Sequence, residues 1–593
     1  MKGIAIGLSN NSKEILKRLK KTEFVKDIYI AGSSKNDGEE NELFQIQKPR
    51  EILLKKWLEI DLIIFIGSIA ASIRIINSFL TSKDQDPGVI VIDNKCSKIV
   101  PLIGLHQSNT QNIAFQIANL LGGEIIETNN SNDQSFLNLD AFGNQWGWER
   151  SGNIKDWSKL VIKQAKNEKI FCKQLSGNKL WKNSESGEII NQINEKEIEK
   201  PDSTFHVSIF ENHETTWHPP VLWIGIGCER NTSKELIANS LNNLLESRNL
   251  SKYSIAGLAT VDIKKDEKGI LELAEEKNLP IKFFSKEDLS TIIVPNPSRV
   301  VEKEIGTPSV AEASCLLAAG EESKLLEEKK IFKNQSGAVT FAVAESKNQY
   351  NPTHGEIHIV GSGPGDISFL TNNAKKALSR CSVWIGYTMY LELIKPLKRG
   401  DQVLIESNLT EEKDRCLKAI KLADEGIKVA LISSGESGFY GMAGLLLELL
   451  QKIKKEYRPY FEVHPGISSV QLAAAISGAP LMNDFCSISL SDKLTPWSLI
   501  EKRIEGALIG DFVIALFNPQ SIERNWQLKS VIDICLQSRL GDTPVLIARQ
   551  VGRENQSKKF FTLNTIPLKE IDMLSIIIIG NSQTTLVDEI FLT

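Results

Sequence analysis

The sequence predicts a multidomain α/β protein. Three observations carry that prediction. The chain has 593 residues, too many for one ordinary core. Short apolar runs alternate with helical patterns along most of its length, the rhythm of strand–helix units. Composition is 41% hydrophobic and 24% charged with net charge −4, as in ordinary soluble domains, and it gives no sign of a nucleic-acid or membrane partner. The most apolar stretch, LIIFIGSIAASI between Asp61 and Arg74, is too short to cross a bilayer. MKGIAIGLSNNSKE reads as a first strand and turn rather than a signal peptide. The 8 cysteines form no CxxC pair, which fits a reducing cytoplasm and neither a disulfide framework nor a zinc site.

Residues 1–133 read as one α/β domain. GIAIGL, DIYIAG, LIIFIG and GVIVID are its strand candidates, and SKEILKRLKK and NIAFQIANLLG its helices. Residues 134–218 read as a poorly patterned connecting region, with Trp146, Trp148 and Trp157 as a small hydrophobic patch. His206, His213 and His218 fall near one another there without a helical spacing that would gather them, so no metal site is assigned. Residues 219–346 resume the α/β rhythm with strands VLWIGIG, LATVDI and IKFFS, two helices between them, and a closing GAVTFAVAE. A polar segment, 347–355, reads as a linker. Residues 356–593 form a last α/β unit with strands EIHIVG, SVWIGY, KVALISSG, DFVIALFN, PVLIAR and SIIIIGN.

Four loops in that last unit look chemical. They are GSGPGD (361–366), SSGESGFYGMA (433–443), HPGISSVQLAAA (464–475) and GAPLMNDF (478–485). Most follow a strand, where open α/β sheets bind ligands. Gly361, Gly363, Pro364 and Gly365 are followed by Asp366, not by the third glycine of a dinucleotide fingerprint, and no Lys-Ser/Thr pair makes a phosphate loop. Each loop alone is equally well a tight turn.

Together, in this order and spacing, the four resemble the tetrapyrrole methyltransferase family, which uses S-adenosylmethionine (SAM). The resemblance implies two α/β subdomains, about 356–465 and 466–593, with SAM between them. SLSDKLTPW (489–497), DFVIALFNPQS (511–521) and TPVLIARQVGRE (543–554) are similar to the precorrin-3B C17-methyltransferase branch. That branch implies methylation at carbon 17 coupled to ring contraction of an anionic tetrapyrrole. Matched motif positions give Gly361, Gly363, Pro364, Gly365, Ser434, Gly435, Glu436, Phe439, Ser468 and Ser469 as expected SAM contacts. Glu436 and Ser437 stand where the family usually has Asp and Pro. Arg549 and Arg553 are candidate partners for substrate carboxylates, because guanidinium grips carboxylate with two donors; Lys493 reads as surface charge. Asp366 and His464 are candidates for moving protons, with turn capping the alternative for Asp366. The resemblance also implies a homodimer through this part.

In the first half, VLWIGIGCERNTSKELI (221–237), the stretch 258–285, PSVAEASCLLAAG (308–320) and SGAVTFAVAE (336–345) resemble the C-terminal domain of the cobalt-precorrin-5A hydrolase family. That family opens a lactone and releases acetaldehyde. Glu312 is a candidate base, or else the carboxylate of a capping box that Ser309 begins. Thr260, Asp262 and Lys264 alternate at a strand end and so share one face. PLIGLHQSNTQN (101–112) keeps His106, a candidate base or a packed histidine, but has Leu105, Ser108 and Asn109 where the family's loop has glycines. Two readings therefore stand: an active hydrolase half, or one retained for structure or substrate handover.

Overall fold

The structure, a computed structural model, describes residues 2–32, 44–81, 86–104, 110–126, 137–192, 203–211, 215–335, 337–493, 495–521 and 525–593. The chain forms two compact units, Met1–Asn132 and Asp133–Thr593. No described helix is long and apolar enough to cross a membrane.

The first unit is built on a 7-stranded sheet. Its central strands Gly3–Gly7, Leu62–Ile66 and Gly88–Ile92 are buried on both faces and pair in parallel, which is why they read as unbroken apolar runs. Lys98–Ile103 turns back antiparallel beside them.

The region read as a connector is a folded layer. Strands Asn191–Gln192, Phe171–Gln174, Thr204–Val207, Thr216–His218 and Glu149–Ser151 make a 5-stranded sheet in that order. Strands of two to four residues are too short to show a period. Their core is aromatic. Phe142 lies 5.2–5.9 Å from the rings of Trp181, Phe205, Trp217 and Trp148, mostly edge-on, the geometry the ring quadrupoles favour. His218 is buried with one ring nitrogen 2.8 Å from Ser208 O and the other 2.8 Å from Ser151 Oγ, so it is a packed histidine. His213 lies outside the described residues.

This layer continues into both neighbours. One apolar cluster joins Trp146, Trp157, Trp181 and Trp217 to Ile357, Ile359, Val429 and Leu431 of the last unit's first sheet and to Leu446 behind it. The 347–355 segment is not a slack linker. Gln349 is 3% exposed; its amide donates to Trp146 O and Glu425 O, each 2.6 Å, and accepts from Trp148 Nε1 at 2.8 Å. A polar residue that reads as linker material is thus a buried three-way junction, since a buried amide must find partners. On the other side Ser176 Oγ donates to Glu345 at 2.6 Å.

Residues 219–346 fold around strands Ile281–Phe284, Ile255–Val261 and Leu222–Cys228, parallel, followed by antiparallel Gly337–Glu345 and Lys324–Asn334. The 11-residue last strand gives no strand signal in the sequence because KLLEEKKIFKN is a largely polar edge. Thr260 lies in the buried strand that ends at Val261, but Asp262–Lys264 form a 3-10 turn, so the three do not share a strand face.

The last unit has two sheets that matter for function. The first is all parallel, in the order Val403–Ser407, Val383–Tyr387, Lys428–Ser433, Glu356–Gly361, Tyr460–His464. The second runs Phe485–Ser489, Val513–Phe517, Ser575–Ile579, Pro544–Arg549, Ser557–Thr562 and is mixed.

Candidate functional site

From Glu356–Gly361 the chain passes to Val383–Tyr387; from the adjacent Lys428–Ser433 it passes to Tyr460–His464, in the opposite direction across the sheet. That reversal opens a crevice beyond the carboxyl ends of the two strands. Three of the expected loops meet there. Gly363 N donates to Gly435 O at 3.1 Å and Gly435 N to Gly363 O at 2.8 Å. Gly466 of the third loop packs so closely that a Cβ on it would fall within the van der Waals shell of Gly435 O and 2.7 Å from Gly361 O. A Cβ on Gly361 would in turn lie 2.7 Å from Gly466 N. The three loops thus touch backbone to backbone, which only residues without side chains permit.

Gly435 differs from the other two. Its φ is +64, and a methyl group added there would find its nearest neighbour, Ser468 Cα, 3.7 Å away. That is ordinary contact with the turn Ile467–Ser469, without a clash. Ser468 caps the helix Ser469–Ser477 and shares a capping box with Gln471, so the main-chain N–H groups of that turn lie beside Gly435. Ser434 hydrogen-bonds the half-buried Tyr390, whose phenol burial pushes up. The longer carboxylate of Glu436 folds back to accept from Gly438 N at 2.6 Å. Ser437 is fully buried.

The second subdomain closes on this crevice. Phe439 packs 5.1 Å from Phe517, Tyr440 packs 5.2 Å from Phe517, and the Tyr440 hydroxyl donates to Ser487 O at 2.9 Å. Asp366 N donates to Gly552 O at 2.6 Å, and Pro364 Cγ would sit 2.9 Å from a Cβ on Gly552. Gly552, at φ +77, is a contact that sequence reasoning missed; the GR of QVGRE is its only signal. Arg553 reaches Pro364 O at 3.4 Å and Met389 Sδ at 3.2 Å, so it stands at the crevice. Arg549 instead grips Asp572, Nε at 2.9 Å and a terminal nitrogen at 2.7 Å; its fork is already filled by protein. Lys493 is exposed.

Asp366 is exposed and accepts from Ser368 N at 2.7 Å. Those Ser368 hydrogen bonds hold its carboxyl below the usual range, and its position is that of the turn cap. His464 is buried, its Nε2 2.8 Å from Nδ1 of His358. Burial, and then the neighbouring imidazole, lowers its pKa. His358 in turn meets Glu356 at 2.9 Å. Nothing local in the sequence singles out His358, because its partner lies 106 residues away.

In the first half, Glu312 is 0% exposed. It accepts from Asn296 Nδ2 at 2.9 Å, Lys329 N at 3.0 Å, Asn296 N at 3.3 Å and Ser309 Oγ at 3.4 Å. The helix Ala311–Ala319 starts at Val310 with no side-chain cap, so Ser309 and Glu312 do not form a capping box; the carboxylate ties a loop to the edge hairpin. Lys264 is buried against Glu267 at 3.0 Å, and Thr260 donates to Ile226 O at 2.7 Å. His106 lies outside the described residues. All 8 cysteines are free.

With this geometry in hand, the comparisons with known proteins fall into register. Residues 356–567 match the family of the tetrapyrrole (corrin/porphyrin) methylases. Residues 222–344 match the cobalamin synthesis G C-terminus, and 51–132 its N-terminal part. A probable cobalt-factor III C(17)-methyltransferase of Salmonella typhimurium is 41% identical over 237 residues, 40% of this chain and 97% of that protein. A cobalt-factor III methyltransferase of Priestia megaterium is 42% identical over 241 residues, 40% of this chain, and there the match spans 44% of the relative's length, less than half of it. A cobalt-precorrin-5A hydrolase of the same organism is 28% identical over 357 residues, 57% of this chain and 93% of that protein. The aromatic layer, described over 137–192, 203–211 and 215–218, falls between the two matched ranges of the first half.

Proposed function

The chain belongs to the tetrapyrrole (corrin/porphyrin) methylase family, and on that premise we propose that it methylates carbon 17 of a precorrin-3B-type ring from SAM, with contraction of the macrocycle, in cobalamin biosynthesis. The observation that carries this reading is the backbone junction of Gly361, Gly435 and Gly466 at the reversal point of a parallel sheet. Such a junction suits a ligand held against main chain. When bound, SAM supplies an electrophilic methyl group on a sulfonium cation.

The chain's own residues bind, orient and keep water out. Gly435 lies beside the Ser468 and Ser469 turn, and Pro364 and Gly365 pack on Gly552 of the second subdomain, which holds the first loop against it. Ser434 and Glu436 are tethered by Tyr390 and Gly438, so the polar groups of the second loop are held before a ligand arrives. Phe439, Tyr440 and Phe517 form an apolar lid edge between subdomains. Arg553 is the proposed grip on a substrate carboxylate. No covalent protein intermediate is required, because alignment of two bound reactants alone is worth about 7–11 kcal/mol. A homodimer through residues 356–593 and a cytoplasmic location belong to the same proposal.

For the first half we propose cobalt-precorrin-5A hydrolysis, supported by its hydrolase relative over 93% of that protein's length. A second reading, a half without catalysis that positions substrate, is favoured by Glu312, whose carboxylate is saturated by protein donors. Both are tested on the full chain, anaerobically. Incubation with SAM and the ring-contraction precursor, with and without cobalt, is followed by mass spectrometry. One added methyl group with a corrin-like spectrum is expected; no methylation in either form, with SAM bound, overturns the assignment to carbon 17. Acetaldehyde released from cobalt-precorrin-5A separates the two readings of the first half.

A further inference from the structure

Beside the glycine junction lies a cluster of titratable groups that methyl transfer does not use. Strands Glu356–Gly361 and Tyr460–His464 pair in parallel, with His358 opposite Glu462 and Val360 opposite His464. Their common face therefore carries Glu356, His358, Glu462 and His464. Both imidazoles are buried, while Glu462 is half exposed. His358 Nδ1 and His464 Nε2 are 2.8 Å apart, and a Glu462 carboxylate oxygen is 3.9 Å from His464 Nε2. Among the described residues this is the one trio of His, Cys, Asp or Glu whose ligand atoms all lie within 4.8 Å of one another.

Basic side chains hold Glu356 in place beside it. Arg380 contacts Glu356 through two hydrogen bonds of 2.6 Å, and Lys428 approaches at 3.1 Å. The Glu356 carboxylate lies 2.9 Å from His358 Nε2, so it accepts from that nitrogen and turns Nδ1 of the same ring toward His464. The order carboxylate, imidazole, open nitrogen is the arrangement by which outer carboxylates orient metal-bound histidines.

We propose that His358 Nδ1, His464 Nε2 and the Glu462 carboxylate bind a divalent first-row transition-metal ion, with Glu356 orienting His358. At metal–nitrogen distances of about 2.0–2.1 Å, two ligands at right angles have donor atoms about 2.9 Å apart, and tetrahedral ligands about 3.4 Å. The 2.8 Å between the two imidazole nitrogens is near the right-angled value, and rotation of the half-exposed Glu462 side chain closes its 3.9 Å separation from His464 Nε2. Ligation through His464 Nε2 requires the tautomer of that ring that carries its proton on Nδ1. Water completes the coordination on the exposed Glu462 side.

The test uses the tag-free full chain, stripped with chelator and titrated with cobalt(II) and with nickel(II) chloride by calorimetry and visible absorption. One equivalent is expected to bind. Glu462→Gln, on an exposed side chain, and His464→Gln should each weaken binding at least tenfold, and Glu356→Gln, which acts only through His358, by roughly 10–100-fold. Circular dichroism of each variant separates lost ligation from lost fold, and Glu462→Gln keeps the test decisive if the buried variants unfold. No binding by the wild-type chain, or equal affinity in folded Glu462→Gln, overturns the proposal.

Discussion

Replacing Gly466 by alanine tests the junction most directly. The new Cβ would press on Gly435 O and lie 2.7 Å from Gly361 O. Both obstacles are main-chain carbonyls, so neither can rotate aside as a side-chain end could. The loops must part, and the Gly363–Gly435 pair, at 3.1 and 2.8 Å, must lengthen. Overpacking of this kind costs about 1–3 kcal/mol, and the two main-chain hydrogen bonds contribute about 0.5–1.5 kcal/mol each. The sheet beneath is untouched, because its strands end at Gly361, Ser433 and His464. The expected result is a folded protein that binds S-adenosylhomocysteine roughly 10–100-fold more weakly, about 1.4–2.8 kcal/mol. Isothermal calorimetry reads the affinity and far-ultraviolet circular dichroism the fold. Affinity within twofold of wild type, in a folded variant, would refute the placement of the cofactor at this junction.

Gly435→Ala should weaken the same ligand without a steric clash, because its methyl group would sit 3.7 Å from Ser468 Cα beside the loop, at a left-handed backbone position that disfavours a Cβ; unchanged calorimetric affinity removes that residue from the site. Arg553→Met should raise KM for the tetrapyrrole by about 10–100-fold, since charged hydrogen bonds are worth about 1.5–3 kcal/mol, whereas Arg549→Met, which releases Asp572, should lower the melting temperature and leave KM alone; steady-state kinetics with differential scanning fluorimetry tell them apart. Gln349→Leu leaves the Trp148 indole N–H and two carbonyls without partners, at about 1–3 kcal/mol each, so the unfolding midpoint of the Asp133–Thr593 unit should fall in urea; an unmoved midpoint would contradict the junction. Burial raises the Asp424 carboxyl to about 6, while Lys282 pulls it back. Its neutral form is the one the fold prefers, so stability is fully present below about pH 4 and declines as pH rises to about 6. Asp424→Asn should flatten that decline in melting-temperature profiles, and a profile parallel to wild type would exclude Asp424 as its source.

How much is legible in the sequence depends on how far apart partners lie. The strands EIHIVG and PVLIAR coincide with Glu356–Gly361 and Pro544–Arg549, because a buried parallel or central strand is apolar throughout. Gly361, Gly435 and Gly466 are visible as loops after strands, yet nothing local says that they touch. Arg549 looks as available as Arg553; only the fold brings Asp572 to it. Glu312 resembles a cap because Ser309 stands three residues earlier, but its strongest donors come from Asn296 and Lys329, across the domain. The aromatic layer stays hidden for a different reason. Trp146 and Trp181 come from single-turn 3-10 helices, Trp217 from a three-residue strand and Trp157 from the helix Ile154–Ala165, so no one period announces that they share a core.

That layer has a consequence for inheritance and turnover. Because Trp146, Trp181 and Trp217 share one apolar cluster with Ile359, Val429 and Leu446, the layer and the methylase-like part of Asp133–Thr593 are not beads on a string. A cut near residue 350 would leave a sheet of one partner and a bed of tryptophans from the other facing water, so fragments made separately should aggregate. Within Asp133–Thr593 a destabilising change anywhere is felt as a single loss: a protease that recognises one opened part destroys the other with it. The two proposed activities, whatever their separate ancestry, are exposed to selection as one stability.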